Sequence, residues 1–161
     1  MPRMYAIDRV GQGRLWTLPA PEGGERLPDQ LDALRRAGVN TLVSLLDDRE
    51  ADALGLADEV AEAGRRGIRF VRLPTSDFGV PDAADALAVA RGVRDDLLAG
   101  RGVAIHCRAG IGRSSLLAAV VLRLEGVRPA EAWAIIGRAR GVRVPETQAQ
   151  RDFLDDLDAS L

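Results

Sequence analysis

The chain has no lysine, one cysteine, one histidine and one tyrosine, and aromatic residues fill only 4% of its 161 positions. A lone cysteine closes no internal disulfide, so nothing here calls for an oxidising compartment. One His and one Cys make a poor transition-metal site, and no metal or other cofactor is expected. All 22 basic residues are arginines, which removes any mechanism that needs a lysine. The formal net charge of −2 speaks against a general nucleic-acid binder. The longest fully apolar run, Leu116 to Leu122, is far shorter than the ~20 residues that span a membrane. Met1 to Val10 carries Arg3, Asp8 and Arg9 and lacks the apolar centre of a signal peptide. These absences give the expectation of a soluble cytoplasmic protein with no nucleic-acid or membrane partner. Its core must be built of Leu, Val, Ile and Ala. At this length the simplest organisation is one domain over 1–161, large enough to bury roughly two-thirds of its unfolded surface.

The stretch that organises the chain is Ile105-His106-Cys107-Arg108-Ala109-Gly110-Ile111-Gly112-Arg113-Ser114, which holds the only cysteine and the only histidine. A short apolar run, Gly102 to Ile105, precedes it and reads as a buried strand. Ser115 to Leu124 follows and reads as a buried helix. Strand, glycine-bearing turn and helix together make an anion site: backbone N–H groups curl around the ligand, and the helix N-terminus adds partial positive charge. A thiol at the mouth of such a turn has its thiolate stabilised by the same donors. Arg113, six residues beyond Cys107, supplies a planar fork able to grip two phosphate oxygens.

His-Cys-Arg-Ala-Gly-Ile-Gly-Arg-Ser resembles the His-Cys-x5-Arg-Ser/Thr signature of the cysteine-dependent protein tyrosine phosphatases. The wider segment from Leu73 to about Leu157 resembles their dual-specificity branch, the kinase-associated phosphatases and their bacterial relatives. The resemblance implies an α/β fold, a central mostly parallel sheet flanked by helices. It also implies a phosphate cradle formed by Arg108, Ala109, Gly110, Ile111, Gly112 and Arg113.

The rest of the chain fits an alternating α/β pattern. Strands are expected at Arg14 to Leu18, Thr41 to Leu46 and Ile68 to Leu73. Pro28 to Ala37 reads as a helix stopped by Gly38. The charge run Asp47-Asp48-Arg49-Glu50 reads as the cap and first turn of a helix reaching about Arg65. With no His or Cys beside them, these carboxylates do not suggest a metal site. Asp82 to Leu98 is predicted helical, Pro129 opens a helix to about Ala139, and Pro145 opens the last one, with Phe153, Leu154 and Leu157 on its apolar face.

Pro74-Thr75-Ser76-Asp77-Phe78-Gly79-Val80-Pro81 is fixed as a loop by two prolines and a glycine, directly after a strand. The resemblance places the family's general acid at Asp77, and this loop could close it over a substrate. Taken alone, Asp77 would read as a turn aspartate bonding its own backbone. Asp82, after Pro81, is expected to cap the next helix, and Asp85 lies inside that helix. The resemblance further implies that Ser114 assists departure of the cysteine sulfur. His106 would orient the loop, with its ring turned away from substrate. Gln150 would position water. At Glu146 the chain departs from the family pattern, which has a glutamine there.

What is implied is a two-step phosphatase: Cys107 takes the phosphoryl group, and water, activated by Asp77 once it is a carboxylate, removes it. The expected substrate is phosphotyrosine, and phosphoserine or phosphothreonine, in a protein, with a small phosphate ester next. Arg108 at the rim could favour acidic or multiply phosphorylated ligands. The competing class is a binding module that recognises phosphoproteins with little turnover, although such modules usually lack the cysteine or the acid. A sulfur-transferring domain would need neither the fixed arginine nor an acid on another loop.

Overall fold

The computed structural model describes residues 2–161. Strands β1 (Tyr5–Ala6), β2 (Arg14–Leu18), β3 (Val39–Ser44), β4 (Arg69–Arg72) and β5 (Gly102–His106) form one sheet in the order β1-β2-β5-β3-β4. β5 lies between β2 and β3, parallel to both, and only the edge strand β1 runs antiparallel. All five residues of β5 are buried. This is why its sequence is unbroken by an outward polar position: a central parallel strand is covered on both faces.

The covering layers are helical. On one face lie α4 (Ala83–Leu98), α5 (Arg113–Leu124), α6 (Pro129–Arg140) and α7 (Gln148–Ser160). α5 is the hub of this layer, touching α4, α6 and α7. It is buried continuously from Arg113 to Leu122, which explains a sequence apolar all round rather than on one stripe. The opposite face carries α1 (Leu27–Ala37) and α3 (Glu59–Arg65), with α2 (Asp48–Ala53) at the end of the sheet. The two cores divide β5 by strict alternation: Val103 and Ile105 face α5, and Ala104 faces α1 and α3.

Two expectations are corrected. The single helix from Glu50 to about Arg65 is two helices, because the chain turns through Gly55 at φ +71° and buries Leu56 before re-entering a helix. Pro145 does not open the last helix. That helix starts at Gln148, with Thr147 as its cap: the Thr147 hydroxyl accepts the Gln150 N–H at 3.2 Å, and the Gln150 side chain accepts the Thr147 N–H at 3.3 Å. Thr147-x-x-Gln150 is a capping box, and it overrides the proline. Asp82 caps α4 as expected, its Oδ2 accepting the Asp85 N–H at 3.0 Å.

Candidate active site

The parallel strands end on one side, and the loops that leave their carboxyl ends gather there, where open α/β sheets bind ligands. From β5 the loop Cys107–Gly112 leads into α5. Its carbonyls are tied down on the outside, one after another. His106 Nδ1 donates to Cys107 O at 3.1 Å, and Ala20 N–H to Arg108 O at 3.1 Å. Arg140, from the end of α6, donates from Nη2 to Ala109 O at 3.3 Å and from Nε to Gly110 O at 3.1 Å. In a trans peptide the N–H points opposite to the C=O. The N–H groups of Arg108, Ala109, Gly110 and Ile111 are therefore directed away from these anchors, as a concave anion site requires.

Period-two alternation separates Cys107 from His106. Cys107 joins the α5-side core and is 2% exposed, its Sγ 3.3 Å from Ser114 Oγ. His106 is turned to the α3 side and fully buried, with Nε2 2.7 Å from Glu59 Oε2. A carbonyl can only accept, so Nδ1 carries a proton, and Nε2 faces a carboxylate: the ring sits between two acceptors. Burial opposes charge on the imidazole. The Glu59 charge, its hydrogen bond and the Cys107 carbonyl outweigh burial, and the His106 pKa is raised above its ordinary value.

Arg113 opens α5, yet its side chain is only 1% exposed. Nη1 donates to Glu50 Oε1 at 2.6 Å and to Thr75 O at 2.9 Å, and Nη2 to Glu50 Oε2 and Asp77 Oδ1, both at 3.0 Å. Both nitrogens of the fork are thus held from α2 and from the loop after β4.

That loop is fixed where it leaves the sheet. Leu73 N–H donates to Ser44 O at 2.9 Å and Thr75 N–H to Leu45 O at 3.1 Å, which prolongs the pairing with the β3 end. Asp77 Oδ1 also accepts the Phe78 N–H at 3.0 Å, so the aspartate is a turn residue and an arginine partner at once. Phe78, next in the chain to Asp77, takes φ +61°, rare for a bulky residue, and is exposed. Gln150 lies under the same loop, fully buried: Oε1 accepts the Glu146 N–H at 3.0 Å and Nε2 donates to Gly79 O at 3.3 Å. Arg108 is exposed at the rim.

The geometry brings Cys107, Arg113, Asp77 and Ser114 together and sets His106 behind the loop. Gln150 is joined to the Asp77 loop through Gly79. Sequence reasoning missed Glu50, Glu59 and Arg140. Glu50 reads as a first-turn acid of a helix, Glu59 falls inside that expected helix with no signal of its own, and Arg140 is one arginine among 22.

A β-strand, a tight cysteine loop and a buried arginine at the head of the central helix, with an aspartate from a neighbouring loop, define a phosphatase-type α/β domain of dual-specificity architecture. Residues 18–126 match the family model Tc-R-P, the DSP-PTPase phosphatase of polymorphic toxin systems, and the chain belongs to this family. The fold resembles kinase associated phosphatase with its catalytic cysteine replaced by serine, at TM-score 0.88 and 22% identity, over 99% of this chain and 98% of that one. Tk-PTP in a glycine-to-alanine mutant form aligns at TM-score 0.79 and 29% identity, covering 96% and 95% of the two chains. PTPMT1 in complex with PI(5)P aligns at TM-score 0.75 and 22% identity, covering 91% and 90%. No curated protein sequence matches the chain.

Proposed function

We propose that the protein hydrolyses phosphate monoesters through a cysteinyl-phosphate intermediate, with phosphotyrosine and phosphoserine or phosphothreonine of proteins as its substrates. The observation that carries this is the meeting of Cys107, Arg113 and Asp77, from separate stretches of chain, around a loop whose carbonyls from Cys107 to Gly110 are tied down on its outside.

In the first step the Cys107 thiolate attacks phosphorus in line. The N–H groups of the loop and the Arg113 guanidinium take the equatorial oxygens. Asp77 gives its proton to the leaving oxygen. Because Oδ1 already accepts from Phe78 and Arg113, the proton is carried on Oδ2. In the second step water attacks the cysteinyl phosphate and the sulfur departs as thiolate, which the Ser114 hydroxyl 3.3 Å away can stabilise by donating to it. His106 holds the loop by the Cys107 carbonyl and does not touch the substrate. No step needs a metal.

The absence of lysine from the loop, where lipid-phosphate enzymes place it, favours a protein substrate over a phosphoinositide. The exposed Phe78, next in the chain to Asp77, offers an apolar ring to an aryl leaving group.

Burst kinetics with p-nitrophenyl phosphate test the reading. Wild type is expected to form a labelled phosphoenzyme, and Cys107→Ser to form none. Phosphopeptides and a phosphoinositide, assayed side by side, then assign the substrate class. A wild type that binds phosphopeptide but never labels would make it a binding module instead.

A further inference from the structure

We infer that Glu146 is the base of the second half-reaction: it takes the proton of the water that hydrolyses the Cys107 phosphate, while Asp77 protonates the leaving group in the first half. This deepens the two-step reading above and rests on it.

Glu146 lies two residues before α7, and the capping box of that helix fixes its backbone, since Gln150 Oε1 accepts its N–H at 3.0 Å. Its carboxyl is carried over the last loop residue before Arg113. A Cβ on Gly112 would overlap Glu146 Oε1, and the Gln150 amide lies against the same point. Gly112 is thus the residue that lets a carboxyl from the α7 end reach the cysteine loop. The groups facing it are Asp77 from the loop after β4, Arg113 from α5, the Gly112 N–H and the Gln150 amide. Glu146 is itself solvent-accessible, so water reaches it.

The neighbours that could serve instead, Asp77 and Gln150, are partly and wholly engaged: of their side-chain oxygens and nitrogens only Asp77 Oδ2 is left without a partner among the described residues. Asp77 Oδ1 is held by Phe78 and Arg113. Gln150 does not titrate, and its amide spans the Glu146 N–H and Gly79 O. Partial burial, then the Asp77 charge, raise the Glu146 carboxyl above the ordinary range, against the pull of Arg113 and the Gly112 N–H. A base nearer the working pH is the more effective one. Asp77 also times it: once Asp77 has given its proton away, its negative charge strengthens Glu146 as a base for the step that follows.

In that step the water oxygen bonds to phosphorus as a water proton passes to the Glu146 carboxylate. The P–S bond breaks, and its electron pair returns to Cys107 as thiolate. Inorganic phosphate leaves. The proton on Glu146 then passes through solvent to the Asp77 carboxylate, which restores the starting state.

The test is rapid-quench labelling of the full chain with p-nitrophenyl phosphate across pH, on wild type, Glu146→Gln and Glu146→Asp, with the thermal midpoint of each variant measured alongside. Glu146→Gln is expected to keep the wild-type burst rate while phosphoenzyme decay slows about 100-fold, the usual scale for a lost general base. The labelled fraction rises, and the decay loses its pH dependence. Glu146→Asp should recover part of the decay rate together with that dependence. A decay unchanged in Glu146→Gln, a slowed decay that keeps the wild-type pH profile, or a slowed burst would each overturn the assignment. A wild type that turns over without any labelled enzyme is a different result: it removes the two-step reading itself.

Discussion

Glu50 grips the Arg113 guanidinium at two points, 2.6 Å from Nη1 to Oε1 and 3.0 Å from Nη2 to Oε2. A fork held in this way is fixed in one orientation: Nε–H is left free among the described residues, the Nη2 donor to Asp77 can be turned over to a phosphate oxygen, and the rotamer entropy of a long side chain is lost on folding rather than on binding. Glu50→Gln keeps the shape and removes the charge. A hydrogen bond to a charged group contributes about 1.5–3 kcal/mol, so kcat/KM for p-nitrophenyl phosphate is expected to fall roughly 10–100-fold. A Glu50→Gln enzyme with wild-type kcat/KM would show that Arg113 does not depend on this contact.

Asp77→Asn separates protonation from positioning. The amide oxygen can still accept from Arg113, but no proton is available for the leaving oxygen. The loss should be small for p-nitrophenyl phosphate, whose leaving group is stable as an anion. For an alkyl phosphate it should reach about 100-fold or more. Equal losses on both substrates would exclude the acid role.

The buried pair His106–Glu59 makes stability depend on pH. The folded-state pKa of His106 is raised, so the contribution of the pair is complete below the unfolded value of about 6.5 and is lost as pH rises through the folded value. Wild-type denaturation free energy should therefore fall as pH climbs from about 6.5. Glu59→Gln should flatten the profile over that window and cost on the order of 3–5 kcal/mol at its acid end, the scale for a buried pair with one partner removed. Urea titrations at several pH values measure both.

Gly110 holds φ +73°, and a Cβ there would come within 2.7 Å of the backbone of Leu18 and Pro19. Gly110→Ala meets a left-handed backbone and a clash with main chain together. Stability is expected to drop by at least about 1 kcal/mol, and activity to drop with it, because the peptides on either side carry loop N–H donors. Thermal melts and steady-state rates check the two parts separately.

Much of the fold could be read from residue order. Arg14–Leu18 is a strand with the expected ends, and the strand, loop and helix around Cys107 stand where the apolar runs place them. Buried parallel strands and a fully buried helix leave strong, local patterns. β1 leaves none, since Tyr5–Ala6 is two residues at an edge. The contacts that hold the site were harder to see for a different reason. Glu50 and Arg113 are 63 positions apart, and Glu59 and His106 are 47 apart. A carboxylate in the first turn of a helix has the same local sequence whether it faces water or a guanidinium. The start of α7 was legible in principle: Thr147-x-x-Gln150 is a capping pattern, and the proline before it drew the boundary three residues too early.

The groups proposed to act in the first half-reaction come from residues 77–114, whereas the base proposed for the second, Glu146, and part of the scaffold come from later in the chain: Arg140 on the loop carbonyls, Gln150 under the Asp77 loop. Attack on the ester and clearance of the intermediate thus draw on different stretches of sequence. Under the proposed mechanism, a substitution just before the last helix changes how fast the cysteinyl phosphate is cleared while Cys107, Arg113 and Asp77 stay as they were.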